Sequence, residues 1–367
     1  MIERNELAAW LRLLETPGVG REAARKLLAA FGSPHAVFEA RVTARREVVG
    51  AELALALDHL PKSFDALLAL TLEWLQAHTA SVPRDVIVLG DARYPASLLE
   101  TADPPLLLYA QGRIDLLQTQ GIAIVGSRNP TPQGLDNARS FATVLSGGGM
   151  TIVSGLALGV DGAAHDGALK GPGTTVAVVG TGLDRVYPKR HFELAHRIAE
   201  AGLIVSEFAL GTQPLNQNFP QRNRIIAGLT KGTLVVEAAM QSGSLITARM
   251  ASEAGREVFA IPGSIHSPQA RGCHWLIKQG AKLVDSAQDI LEELQPGSIR
   301  ISVGADSPAD HGDPLLAAMG YEPVSLDALT ARTGLSAADL TTRLLELELD
   351  GEVARLAGQL FQRVGLG

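Results

Sequence analysis

The spacing of apolar residues changes twice along the 367-residue chain, and each regime predicts a different kind of element. Over residues 1–84 the spacing is helical: Ala24, Leu27, Leu28 and Phe31 fall at i, i+3, i+4 and i+7 behind the turn Thr16-Pro17-Gly18-Val19-Gly20. Helix, Pro-Gly turn and helix describe either a helix-hairpin-helix (SAM-like) unit, whose glycines let backbone N–H groups approach a phosphate, or a plain interhelical turn that uses glycine for backbone freedom. From residue 85 to 294 short, almost wholly apolar runs alternate with helical stretches. Ile122–Val125, Thr151–Val153, Thr175–Val179, Leu203–Val205, Thr233–Val236, Glu257–Ile261 and Lys282–Val284 have the composition of strands covered on both faces. Between them, Leu135, Ala138, Phe141, Ala142 and Leu145 form one helical stripe, and Phe192–Ala201 reads as another helix. This alternation predicts an α/β class chain with a doubly wound parallel sheet, which binds ligands at the carboxyl ends of its strands.

Residues 295–313 have no apolar period and read as a linker. Beyond it, residues 314–367 predict a small helical domain: Ser336 and Asp339 are spaced to cap a helix carrying Leu340, Leu344 and Leu347, and Glu352–Val364 reads as a hairpin, together a winged-helix-like layout.

Charge narrows the partners. The formal net charge of −7 opposes broad, non-specific binding to duplex DNA, which needs a large basic footprint, so any nucleic-acid site is local. Residues 121–295 hold 15 basic and 14 acidic side chains, whereas residues 312–367 hold four arginines against eight acids. No uninterrupted apolar run reaches the roughly eighteen residues of a membrane span, the N-terminal stretch lacks a secretion-signal layout, and the single cysteine, Cys273, fits a reducing compartment; the expectation is a cytoplasmic protein without membrane contact.

Three segments carry candidate chemistry. Gly126-Ser127-Arg128-Asn129-Pro130-Thr131 follows the first strand of the central set, where glycine permits close approach and Pro130-Thr131 suits a helix start that attracts anions. It reads as a phosphate cradle with Arg128 beside it, or as a tight turn with a solvated arginine. Ser154-Gly155, opening Ser154–Asp161, closes the next strand. Asp161 and His165, four apart, suggest two metal ligands, but two are too few, and capping or loop-fixing hydrogen bonds are favoured. In Phe219-Pro220-Gln221-Arg222-Asn223-Arg224, two guanidinium forks and a ring suit a single strand with splayed bases; alternatively Phe219 is core and an arginine pairs with Glu237 or Asp161.

These motifs, together with Tyr94-Pro95, Pro104-Pro105, Gly180–Pro188, Val236–Ala248, Val258–Gly263 and Leu276–Ala281, resemble the DNA-processing protein A (DprA, also called Smf) family from about Tyr94 to Ala281. The resemblance implies an extended Rossmann-like sheet domain that binds single-stranded DNA, pairs into a homodimer and loads the RecA recombinase in natural transformation and recombination, with no catalytic residue, cofactor or metal. Its DNA pocket falls on Gly126, Ser127 and Arg128, with Phe219, Arg222 and Arg224 adjoining. Two places depart from the family pattern: Pro214–Asn218 is uncharged where relatives often carry lysine, and His274 stands where asparagine is common. The rival reading is a nucleotide phosphoribohydrolase of the lysine-decarboxylase-like kind. Against it, Gly232-Thr233 lacks the preceding glycine pair, and Glu237 stands four places after Thr233 instead of three.

Overall fold

The computed structural model describes residues 2–295, 313–321 and 323–364, so all but the ends of the expected linker lie outside the described residues. Nine strands form the main sheet: β1 (Arg84–Val88), β2 (Leu107–Gly112), β3 (Gly121–Val125), β4 (Thr151–Ser154), β5 (Thr175–Val178), β6 (Leu203–Ser206), β7 (Gly232–Val235), β8 (Glu257–Ala260) and β9 (Lys282–Leu283). Their order is β1-β2-β6-β5-β4-β3-β7-β8-β9. From β6 to β9 every neighbouring pair is parallel, while β2 runs antiparallel to both β1 and β6.

The unbroken apolar runs have a direct cause. Side chains alternate between faces along a strand, and both faces are covered. Ile122 and Ile124 enter the layer formed by the helices Pro132–Gly147, Val160–Ala168 and Ala287–Leu294. Ala123 and Val125 enter the opposite layer, under the helices Asn218–Gly228, Gly243–Glu253 and Arg271–Lys278. The helix Phe192–Ala201 packs separately on Ala177, Val179 and Ile204.

The antiparallel edge is held by the N-terminal helices. Leu7, Leu11, Leu27 and Trp74 share one core with Val86, Val88, Leu107 and Tyr109. The turn at residues 16–20 joins the helices Arg4–Glu15 and Arg21–Phe31, with Gly18 at φ +81°. Charge then ties the second of these helices to the sheet domain: Arg21 Nε lies 2.8 Å from Asp103 Oδ2, and Arg25 Nη1 lies 2.5 Å from Asp103 Oδ1.

After the undescribed stretch, the helices Pro314–Met319, Leu326–Thr333 and Ala337–Leu349 pack with β10 (Val324–Ser325), β11 (Val353–Leu356) and β12 (Leu360–Arg363), in the order β10-β12-β11, around a separate core of Leu315, Leu329, Leu340, Leu344 and Phe361. The cap forms as its spacing predicts: Ser336 Oγ accepts from Asp339 N at 3.2 Å and donates to Asp339 Oδ2 at 2.6 Å. Three helices and an antiparallel hairpin make the winged-helix architecture.

Candidate nucleic-acid interface

Strand order fixes where a ligand can enter. The chain leaves β3 through the helix Pro132–Gly147 towards β4, but leaves β7 through Gly243–Glu253 towards β8, on the other face and in the other direction. The two departing loops diverge and leave a crevice at the carboxyl ends of the strands, the topological switch point of such sheets. Here it is a cleft of about 470 Å³, lined on one side by Gly126, Arg128, Asp161, Phe219 and Arg222, and on the other by Gln241, Ser242, Ser244 and Thr247.

The Gly126–Thr131 loop is fixed from behind. A Cβ on Gly126 would lie 2.7 Å from Val160 Cγ2, so only glycine fits at this crossing. Ser127 N donates to the Glu237 carbonyl at 2.7 Å, and the buried Ser127 hydroxyl accepts from Asn129 N at 3.1 Å; Ser127 shapes the loop from inside. The helix start expected to attract a phosphate already holds an anion of the chain itself: Glu237 accepts from Thr131 N at 2.9 Å and from Thr131 Oγ1 at 2.5 Å, while Thr131 Oγ1 caps Gly134 N at 3.0 Å. The cradle reading is corrected on this point, because the positive end of the helix is offset by Glu237. To solvent the loop presents Arg128 and Asn129, of which Arg128 lines the cleft.

Arg128 is exposed and among the described residues forms no salt bridge. Its guanidinium carbon lies 5.4 Å from the centre of the Phe219 ring, and Phe219 stacks in turn on Tyr187, with centroids 5.7 Å apart at 30°. Phe219 is half-buried, neither pure core nor free. A cation resting over an aromatic face beside an open cleft provides one group for phosphate and one for a base.

Arg222 faces the same cleft but is only 5 % exposed. It donates to the carbonyls of Gly155 and Val178 and, through Nε, to Asn223 Oδ1 at 3.0 Å. Burial lowers its pKa to about 10, with Asp161 opposing, so it remains a cation at neutral pH. Ser154 is fully buried, its hydroxyl donating to the Ile124 carbonyl at 2.7 Å, and Gly155 has no room for a side chain, since a Cβ there would meet the Arg222 guanidinium at 2.1 Å. Arg222 lines the cleft, whereas Ser154 and Gly155, expected beside the phosphate cradle as DNA-binding residues, do not: both lie behind Arg222, and that expectation is corrected to a supporting role.

Arg224 is elsewhere. It projects from another side of its helix, 12 % exposed, donating to both oxygens of Glu207, with Nε 3.2 Å from Asp103 Oδ2. Placing it with Arg128 and Arg222 is therefore corrected. It belongs to the acid–base junction with Arg21 and Arg25, and its pairing partners are Glu207 and Asp103, not Glu237 or Asp161.

Asp161 and His165 both serve the loop after β4. Asp161 accepts from Gly155 N at 3.1 Å and Ala157 N at 3.2 Å. Burial pushes its carboxyl up, against the pull of Arg222 and these two N–H groups. His165 Nε2 accepts from Leu156 N at 3.2 Å, which puts the ring proton on Nδ1, 2.7 Å from Thr175 Oγ1. Burial holds this imidazole neutral, with its pKa down to about 3. Between about pH 6.5 and 3 the unfolded chain therefore binds one more proton at this site than the folded one, and stability falls with pH by up to about 1.4 kcal/mol per unit. Asp161, raised when folded, works in the opposite sense. Denaturation midpoints of wild type and His165→Gln from pH 7 to 4 isolate the histidine: the variant is expected to start less stable and to lose less on acidification. Parallel curves would refute this.

His274 Nε2 lies 2.9 Å from the Gly263 carbonyl, so this departure from the family pattern staples the Pro262-Gly263 turn. The second lip of the cleft, Gln241–Ser244, received no role from sequence; its signal was a polar, glycine-containing run at the carboxyl end of β7.

A doubly wound sheet with a cationic, aromatic-edged cleft at its switch point, followed by a winged helix, defines the class of protein. The family model for DNA recombination-mediator protein A matches residues 85–295, and that for the DprA winged helix domain matches residues 304–359; the chain belongs to this family. It is 45 % identical over 287 residues to protein Smf of Escherichia coli, covering 75 % of this chain and 77 % of that one, and 51 % identical over 210 residues to DNA processing protein DprA of Streptococcus pneumoniae, covering 57 % and 73 %. Among solved structures it resembles DprA of S. pneumoniae (TM-score 0.68, 38 % identity, 80 % of this chain and 98 % of that one). It also resembles DNA processing protein A of Helicobacter pylori, described for its single-stranded DNA binding mode (TM-score 0.53, 31 % identity, 57 % and 95 %).

Proposed function

We propose that the chain binds single-stranded DNA in the cleft at the switch point and thereby mediates loading of the RecA recombinase in transformation and recombination, without catalysing a reaction itself. The observation that carries this is Arg128, an exposed cation that forms no salt bridge among the described residues, resting over Phe219 at the mouth of the cleft. A base stacks on any aromatic face, so sequence-tolerant binding of a flexible strand follows, whereas a duplex hides its bases and needs a wider basic surface than this chain offers. The single-stranded DNA described for the H. pylori relative favours the same ligand.

The acids around the cleft support a non-catalytic reading. Glu237 is engaged with Thr131, Asp161 accepts two backbone N–H groups and His165 is buried and neutral, so these three groups supply the phosphoribohydrolase alternative with no free acid–base pair among the described residues at the cleft. Binding of single- and double-stranded oligonucleotides across a salt series tests the proposal. A preference for the single strand is expected, and mononucleotide hydrolysis would favour the enzyme instead.

Pairing of two chains through the sheet domain is part of the proposal; Leu283 on the edge strand β9 and Trp275 on the neighbouring helix are exposed apolar groups suited to it. No helix among the described residues is long and apolar enough to cross a membrane. A cytoplasmic location is part of the proposal, on the ground that a single cysteine can form no internal disulfide.

The winged helix we assign to protein contact or to packing on its own chain. The helix Ala337–Leu349, where such folds read DNA, carries one arginine, and Arg343 is spent on Asp313 at 2.8 Å and Glu346 at 2.7 Å. Across to the sheet domain, Gln362 Nε2 lies 3.4 Å from Gln133 Oε1. Gel shifts with the segment 313–364 at low salt are expected to show no retarded single or double strand; tight binding would overturn the assignment.

A further inference from the structure

We propose that the single strand leaves the cleft along a track of rings and that a further base stacks on Phe192, outside the pocket the family resemblance implies. This rests on the cleft reading and extends it. Phe219 stacks on Tyr187, and Tyr187 and His196 border one small, mostly apolar hollow beyond the cleft. His196 in turn packs against Phe192, with ring centroids 4.3 Å apart, and its Nδ1 lies 2.9 Å from the Phe192 carbonyl, which holds the imidazole in place. The sequence of rings is thus Phe219, which Arg128 overlies, then Tyr187, His196 and Phe192.

Scattered exposed aromatics are ordinary on a protein surface. Here two stand on one path, Tyr187 45 % and Phe192 52 % exposed, where a core role would have buried them. The charges beside them match a polynucleotide. Lys189 and Arg190 are exposed in the turn just before Phe192, and among the described residues neither forms a salt bridge. Of the nearby acids, Asp184 pairs with Arg185 at 2.6 Å and Asp166 with Arg197 at 2.9 Å, while Glu193 and Glu200 of the same helix are exposed. Rings spaced along a surface with cations at their edge suit a backbone that runs past them with its bases turned inward, whereas an apolar protein partner would leave Lys189 and Arg190 unmatched.

Oligothymidylates of increasing length, titrated by fluorescence anisotropy against the full chain, test this with wild type, Arg128→Ala, Phe192→Ala and Phe192→Trp. Phe192→Ala is expected to bind the shortest competent strand like wild type and to lose about fivefold or more on strands long enough to pass the cleft; Phe192→Trp retains the gain with length. Wild-type behaviour of Phe192→Ala at every length, or an equal loss at every length, overturns the extension while leaving the cleft intact. Binding of no strand by wild type, or indifference to Arg128→Ala, sinks the cleft reading and this one with it. Irradiating wild type with a strand carrying 5-iodouracil reads the same contact without a variant. An adduct in the Phe192–His196 peptide is expected, and adducts confined to Tyr187 and Phe219 count against it.

Discussion

Arg128→Ala is expected to weaken binding of single-stranded DNA by roughly 10- to 100-fold, the scale of one charge-assisted hydrogen bond of about 1.5–3 kcal/mol. Its exposure means that little folding stability is lost, so the melting temperature should hold while affinity falls. The salt series gives a sharper criterion. Each phosphate contact on a single strand contributes about 0.7 to the slope of log K against log salt, and the variant should lose about that much. Arg128→Lys keeps the charge but gives up the planar fork over Phe219, and is expected to fall between wild type and alanine, with the slope retained. Arg224 supplies the contrast, because its guanidinium already meets Glu207 and Asp103. An Arg224 variant should alter stability at the junction with the N-terminal helices far more than the salt slope. Unchanged affinity and slope for Arg128→Ala would remove the basis for the proposed function.

The difference between these two arginines marks how much of the site could be read from sequence. Residue type was the same for Arg128, Arg222 and Arg224, and nothing in Arg222-Asn223-Arg224 says that its two arginines leave the helix Asn218–Gly228 in different directions: residues two apart are about 200° apart around it. One therefore faces the cleft, and the other meets Asp103 and Glu207, more than fifteen residues away in sequence. Glu237 illustrates the same limit, since it lies 106 residues from the Thr131 it caps. By contrast, the strands β3 to β7 were legible because burial on both faces leaves a continuous apolar run, whereas the edge strand β9 was placed by its apolar composition although Lys282 and Leu283 are exposed. The pair β1 and β2 was missed: β1 opens on Arg84-Asp85, and β2 ends on Gln111-Gly112. These strands carry no helical crossover between them to complete the alternation, and the cover on one face comes from the N-terminal helices. The winged helix was readable from a local cap and hairpin, signals that need no distant partner.

Arg222→Met should separate support of the cleft from contact with its ligand. The guanidinium satisfies the carbonyls of Gly155 and Val178, at the ends of neighbouring strands, and is the cation set against the buried Asp161. Methionine fills similar space but leaves those acceptors unmet, each at about 1–3 kcal/mol, so a loss of about 2–5 kcal/mol is expected, on the order of 10 °C in Tm. Gly155→Ala should destabilise through the same contact from the other side, because its new methyl would stand 2.1 Å from the guanidinium nitrogens. A double-mutant cycle exposes the shared cause: in the Arg222→Met background, where a flexible thioether chain takes the place of the rigid fork, the alanine costs less than it does alone, and the two losses fall short of additive. Strict additivity would mean that Gly155 is required for some reason other than room for Arg222. A stable Arg222→Met protein with single-strand affinity lost would return that arginine to the direct ligand contacts.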